Sequence, residues 1–161
     1  MDRTMPTTRR RRNVPAAIRS QSGMTRIDYV DLFSVTAPSA RNSSPEQWAR
    51  AGLDVAAGLG GQFVWRAVLG LRLAPRTSAE HVAGWTIAKR DANWIRLEAV
   101  SRFLTAHLVV RTEEEEVSVA TFIRYDGLLA ALAWPPLSVI HRRAMPGILI
   151  GAVRHIARSR R

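Results

Sequence analysis

Four consecutive segments between residues 81 and 125 alternate in polarity with period two and are joined by short connections: HVAGWTIAKR (81–90), WIRLEAVS (94–101), LTAHLVVR (104–111) and VSVATFIRY (117–125). Successive strand side chains point to opposite faces, so this alternation predicts an antiparallel meander with one buried face. Ile95, Leu97 and Ala99 fall on one face, with Trp94, Arg96 and Glu98 on the other. Leu104, Ala106, Leu108 and Val110 fall opposite Thr105, His107, Val109 and Arg111, which predicts an exposed His107. Val117, Val119, Thr121 and Ile123 oppose Ser118, Ala120, Phe122 and Arg124. Arg124, at the end of its strand, reads as an outer-face ion-pair partner of Glu98 or of the following helix start. The four glutamates at 113–116 form a hairpin tip, where a charge run is solvated. They have no second ligand group at metal-site spacing, so no metal is expected.

A sheet with one apolar face must bury it against another layer, and the flanking segments provide one. RIDYVDLFSV (26–35) has strand-type residues, with Ile27, Tyr29 and Leu32 or Phe33 as inward positions. Ser44-Pro45-Glu46-Gln47 has the pattern of a helix start: Ser as N-cap, Pro first in the helix, Gln three residues after the cap. The helix that follows carries Trp48, Ala51, Val55 and Leu59 near one face, and glycines at 58, 60 and 61 end it. GLGG there follows a helix and lacks the Lys-Ser/Thr of a phosphate loop, so it reads as punctuation, and no cofactor is expected. A second short helix is predicted over 62–71. After Asp126-Gly127 the chain is helical again. Pro135-Pro136 open the long last helix, and Pro146-Gly147 are expected to bend or split it. Leu137, Ile140, His141, Ala144, Ile148, Ala152 and Ile156 share one side of it. Charges and prolines interrupt 127–153, so neither apolar half approaches the ~20 residues of a membrane span. The resulting expectation is an α+β chain of about five strands, with two short helices after the first strand and a long C-terminal helix.

The net charge of +11 is not spread over this body. Residues 1–26 hold seven arginines against Asp2, and residues 142–161 hold six arginines and no acid. Residues 27–141 hold ten arginines and Lys89 against twelve acids, so the body is nearly neutral. With no nucleic-acid-binding signature beside the charge, specific nucleic-acid binding is not expected. The basic ends suit loose contact with an anionic membrane surface. The chain has no cysteine, which excludes disulfides, thiolate zinc sites and a cysteine nucleophile. The first 23 residues hold a run of four arginines without the apolar core of an export signal. Residues 1–25 therefore read as a disordered basic tail, with Met24 the expected physiological start, residues 26–158 as a single domain and 159–161 as a short basic tail. The expected location is cytoplasmic.

The order of strand, two helices, meander and long helix, with DYVDLF (28–33), SPEQWARA (44–51), VLGLRL (68–73), GWTI (84–87), VSVATFIRYDGLLAALAW (117–134) and HRRAMPGIL (141–149), resembles the helix-grip architecture of the START-like, polyketide-cyclase-like superfamily. The most specific part runs from Thr121 and Arg124 to Pro136 and His141. The chain departs from the pattern at Pro146 and in its smaller number of strands. The resemblance implies a curved sheet gripping the helix, with an apolar cavity between them for a lipid, sterol, polyketide or other hydrophobic molecule; a minority of members catalyse cyclisation or dehydration. Trp85, Leu97, Leu108, Thr121, Ile123, His141 and Met145 have the mixture of apolar wall and few polar anchors that such a cavity needs. No catalytic set is selected by spacing. Of the four histidines, only His141 lies on the inward stripe. Three readings stand for it: a hydrogen-bonded structural residue, as lone inward histidines most often are, a ligand anchor, or the general acid/base of a cyclase or dehydratase. Arg142 and Arg143 are expected to point away from the sheet. A third class, a filled-core interaction protein with basic ends, requires no cavity at all.

Overall fold

The computed structural model describes residues 5–38, 40–75 and 77–161. The chain is α+β: one open, seven-stranded antiparallel sheet packed against a long C-terminal helix. The strands are β1 (Thr8–Arg11), β2 (Tyr29–Thr36), β3 (His81–Val82), β4 (Trp85–Arg90), β5 (Trp94–Val100), β6 (Leu104–Thr112) and β7 (Glu116–Tyr125), in the sheet order β1-β2-β7-β6-β5-β4-β3. The helices are α1 (Ala16–Gln21), α2 (Pro45–Ala56) and α3 (Leu128–Ser159), with π-type turns at Ala57–Gly61 and Val64–Val68 between α2 and the meander.

The alternation seen in β5, β6 and β7 has the register it implies: Leu97 lies opposite Leu108, and Leu108 opposite Thr121. Phe33, Val35, Leu97, Ala106, Val110, Val117 and Ile123 form the inner face, packed with Trp48 and Ala51 of α2 and Met145, Leu149 and Ala152 of α3. The start of α2 follows from its sequence. The Ser44 hydroxyl accepts from the Gln47 amide at 3.1 Å, and the Gln47 side chain accepts from the Ser44 amide at 2.8 Å. The two helices cross closely at Gly151, where a Cβ would stand 2.9 Å from Val55 Cγ1.

Four expectations are corrected. The sheet has seven strands, not five, because β1 and the two-residue β3 add an edge at each side. The segment expected to be a disordered tail is ordered over its described part. β1 pairs with β2 from Thr8–Val35 to Arg11–Leu32, and Val14, just ahead of α1, and Ile18 within it pack on the outer sheet face with Leu32, Trp94, Val109 and Phe122. The second sheet face is thus also covered, and His107 is buried rather than exposed. Residues 1–4 of that expected tail lie outside the described residues. Finally, α3 runs unbroken through Pro135, Pro136 and Pro146. Each proline removes one intrahelical donor, but Trp134, Ser138, Met145 and Leu149 are buried along the helix, and this tertiary packing outweighs the local cost.

Outer-face polar groups hold the end of α1. Arg96 Nη1 donates to the Gln21 carbonyl at 3.0 Å, Arg111 Nη1 donates to Gln21 Oε1 at 3.0 Å, and His107 Nδ1 donates to the Ser22 carbonyl. The Arg96 and His107 donors satisfy backbone carbonyls left open at a helix C-terminus, and Arg111 holds the Gln21 side chain. Gly23, at φ +67°, then turns the chain under the Arg96 guanidinium, where a Cβ would meet Nη1 at 2.7 Å.

Candidate functional site

Between the inner sheet face and the helices lies a cavity of about 210 Å³. Its wall takes residues from β2, β4–β7, α2, α3 and the π-type turns. Leu59 and Ile140 belong to this wall yet are 68% and 62% exposed, which places the opening between the turn after α2 and the middle of α3. Phe63, 69% exposed, lies in the same turn region, which is less buried than its apolar sequence predicts.

All seven residues nominated from sequence stand on this wall: Trp85 on β4, Leu97 on β5, Leu108 on β6, Thr121 and Ile123 on β7, and His141 and Met145 on α3. Trp85 meets Trp65 edge-to-face, with ring centroids 5.6 Å apart. The wall is mostly apolar, but besides His141 Nε2, which stands against a carboxylate, three of its members carry buried polar atoms without a hydrogen-bond partner: Trp85 Nε1, Thr121 Oγ1 and Trp134 Nε1. Buried polar groups are rarely left unpaired, so these three atoms are the ones a bound molecule would satisfy.

His141 has a partner that sequence reasoning missed. Its Nε2 lies 3.1 Å from Oδ2 of Asp31, a carboxylate whose side chain is only 1% exposed. The ring nitrogen is in charge-contact range but not in line for a hydrogen bond, and Asp31 Oδ1 has no partner. Asp31 sits in β2 opposite Thr121 of β7. The Tyr29 hydroxyl donates to the same Oδ2 at 2.5 Å, and Arg142 Nη1 donates to that hydroxyl at 3.4 Å and to Ser138 Oγ at 3.0 Å. Arg142 therefore reaches toward the sheet, against the sequence expectation. Burial above all, then the Asp31 carboxylate beside it, pushes the Tyr29 phenol well above its ordinary range, so it stays protonated and donating. Trp134 completes the group. Its ring lies edge-on to Tyr29 at 5.3 Å and tilted against His141 at 5.7 Å. Alternation from Tyr29 through Asp31 to Phe33 and Val35 was the available signal. It was hidden because a carboxylate interrupts the apolar face.

The other candidates resolve into structural roles. Arg124 pairs with Asp126 at 2.6 Å and holds its carboxyl below the usual carboxylate range, while Glu98 is taken by Arg96 at 2.9 Å. His81 Nδ1 stands 3.0 Å from Ser78 Oγ. In the glutamate run, Glu114 and Glu116 pair with Arg41 and Arg11. Among the described residues no group of three or more His, Asp or Glu side chains could hold a metal, and no helix is long and apolar enough to cross a membrane.

No protein-family model matches the chain, and the curated proteins contain no match to it.

Proposed function

We propose that the chain binds a hydrophobic small molecule, of lipid or polyketide-like character, in the cavity between sheet and helices. The observation that carries this reading is the combination of an apolar wall with three buried, unpartnered polar atoms on Trp85, Thr121 and Trp134. A filled structural core has no reason to leave all three unsatisfied, whereas a ligand site needs a few polar points in an apolar surface. The resemblance to the helix-grip superfamily, carried by the segments from 28 to 149, agrees with this reading.

The volume narrows the class. An apolar void of about 150 Å³ takes up benzene. The 210 Å³ available here suits a compact compound of one or two rings better than a long acyl chain. Native mass spectrometry of the purified protein, followed by organic extraction, tests the proposal. A co-purifying ring compound, or a rise in melting temperature with members of a small-aromatic and lipid panel, is the expected result. Empty protein with no thermal response across that panel would sink it.

A further inference from the structure

The polar end of the cavity has a chemistry of its own. Indole N–H groups only donate, so Trp134 at this end calls for a hydrogen-bond acceptor on the bound molecule; Trp85, the other unpaired indole, stands on β4, four strands from β2. Beside Trp134 stands His141, the titratable side chain on the cavity wall among the described residues. Behind His141 lies the buried Asp31 carboxylate, itself held by the Tyr29 hydroxyl. A molecule that offers an acceptor oxygen to the indole and an acidic C–H next to it is a ketone. We infer that this end of the cavity is a proton-transfer site for a ring-sized hydrophobic ketone, with His141 as base and Asp31 as its positioning residue.

This inference rests on the ligand-binding reading above. The Asp31 carboxylate, 3.1 Å from Nε2, stabilises the positive ring that forms when Nδ1 takes up a proton. Nδ1 takes a proton from the carbon next to the carbonyl. The C–H bond breaks, an N–H bond forms, and the electron pair moves into the enolate. The negative charge that develops on oxygen is met by the Trp134 N–H. Return of the proton from His141 to the same carbon restores the ketone, and return to a conjugated position gives an isomer. No electrons are exchanged with any other reactant. Thr121, opposite Asp31 in the adjoining strand, adds a hydroxyl to the same face.

The test uses the full chain with 2-tetralone and 1-indanone, and with the hydrocarbons tetralin and indane as references. Binding is followed by tryptophan fluorescence, and exchange of the α-hydrogens for deuterium in heavy water by proton NMR. The wild type is expected to bind the ketones more tightly than the hydrocarbons and to speed exchange above the buffer rate. His141→Gln is expected to lower the catalysed rate by about 10²-fold. Asp31→Asn, nearly isosteric, is expected to lower it at least roughly tenfold with ketone affinity unchanged. Added to His141→Gln, Asp31→Asn should lower the rate no further, because Asp31 acts only through His141; a further loss would mark Asp31 as purely structural. Ketone binding with exchange no faster than buffer, or exchange undiminished in His141→Gln, would overturn this inference and leave ligand binding standing. Tighter binding of the hydrocarbons would overturn the ketone assignment. Absence of binding by all four would overturn the cavity reading and this one with it.

Discussion

Replacing Ala106 with Leu separates a ligand cavity from a filled core. Ala106 is buried near the start of β6 and belongs to the cavity wall. Leucine adds three carbons, which at about 0.8 kcal/mol per buried methylene stabilises the protein by roughly 2.4 kcal/mol. Ordering the longer side chain costs about 0.5–1 kcal/mol, so the net expected gain is about 1.5–2 kcal/mol. The cavity of 210 Å³ can accept the added carbons without moving its wall. A chain of this size gains about 2–4 °C in melting temperature per kcal/mol, so a rise of roughly 3–8 °C is expected by calorimetry. Ligand-induced thermal shifts should shrink in the same variant, because the leucine occupies ligand volume. Were the space already filled, the substitution would overpack the core and destabilise it by about 1–3 kcal/mol. A fall of that size, measured also by urea denaturation, would refute the cavity and with it the functional reading.

Two further outcomes follow from the outer sheet face. A chain beginning at Met24 lacks β1 and α1 and uncovers Leu32, Trp94, Val109 and Phe122; it should melt earlier and bind the dye ANS, and an unchanged melt with no dye binding would show that the segment contributes no packing. Burial, the largest influence on His107, lowers its proton affinity below the ordinary value, while its bond to Ser22 and the nearby Glu98 act the other way. The unfolded chain therefore takes up the proton first as pH falls. Stability from the neutral ring is full above a pH of about 6.5 and is lost as the pH drops through that value toward the folded one. Urea denaturation at pH 7.5, 6.5 and 5.5 should show a decline that is flatter in His107→Gln; identical slopes would contradict it.

Sequence reasoning reached the sheet faces and stopped where the signals were not periodic. Leu97, Leu108 and Thr121 were legible as one inner face because β5, β6 and β7 alternate cleanly and turn tightly. The residues nominated for the wall combined that alternation with the helix-grip resemblance, which alone implied a cavity. β1 was not, because four residues reading TRRR pair with β2 through backbone alone and carry no apolar period. Its arginines suit an exposed sheet edge, where charge discourages pairing with another chain. The continuity of α3 was hidden by three prolines, whose local cost is visible in sequence while the packing that offsets it is not. Asp31 was hidden by its own charge. A carboxylate on an inward position reads as a break in the pattern, although the break is what gives His141 its partner.

The position of β2 between β1 and β7 also orders the assembly of the molecule in time. The strands from β3 to β7 are neighbours in both sequence and space, so their pairings close short loops. β2 instead pairs with β7 across separations that run from Thr36–Glu116 to Tyr29–Ile123. Contacts so distant along the chain pay a larger loop-closure entropy and form late. A nascent chain thus makes Asp31 well before its strand partner Thr121. Until then β2 has no central neighbour. The buried carboxylate is sealed only when the last strand and the long helix close over it, which makes the candidate site one of the final parts of the fold to exist.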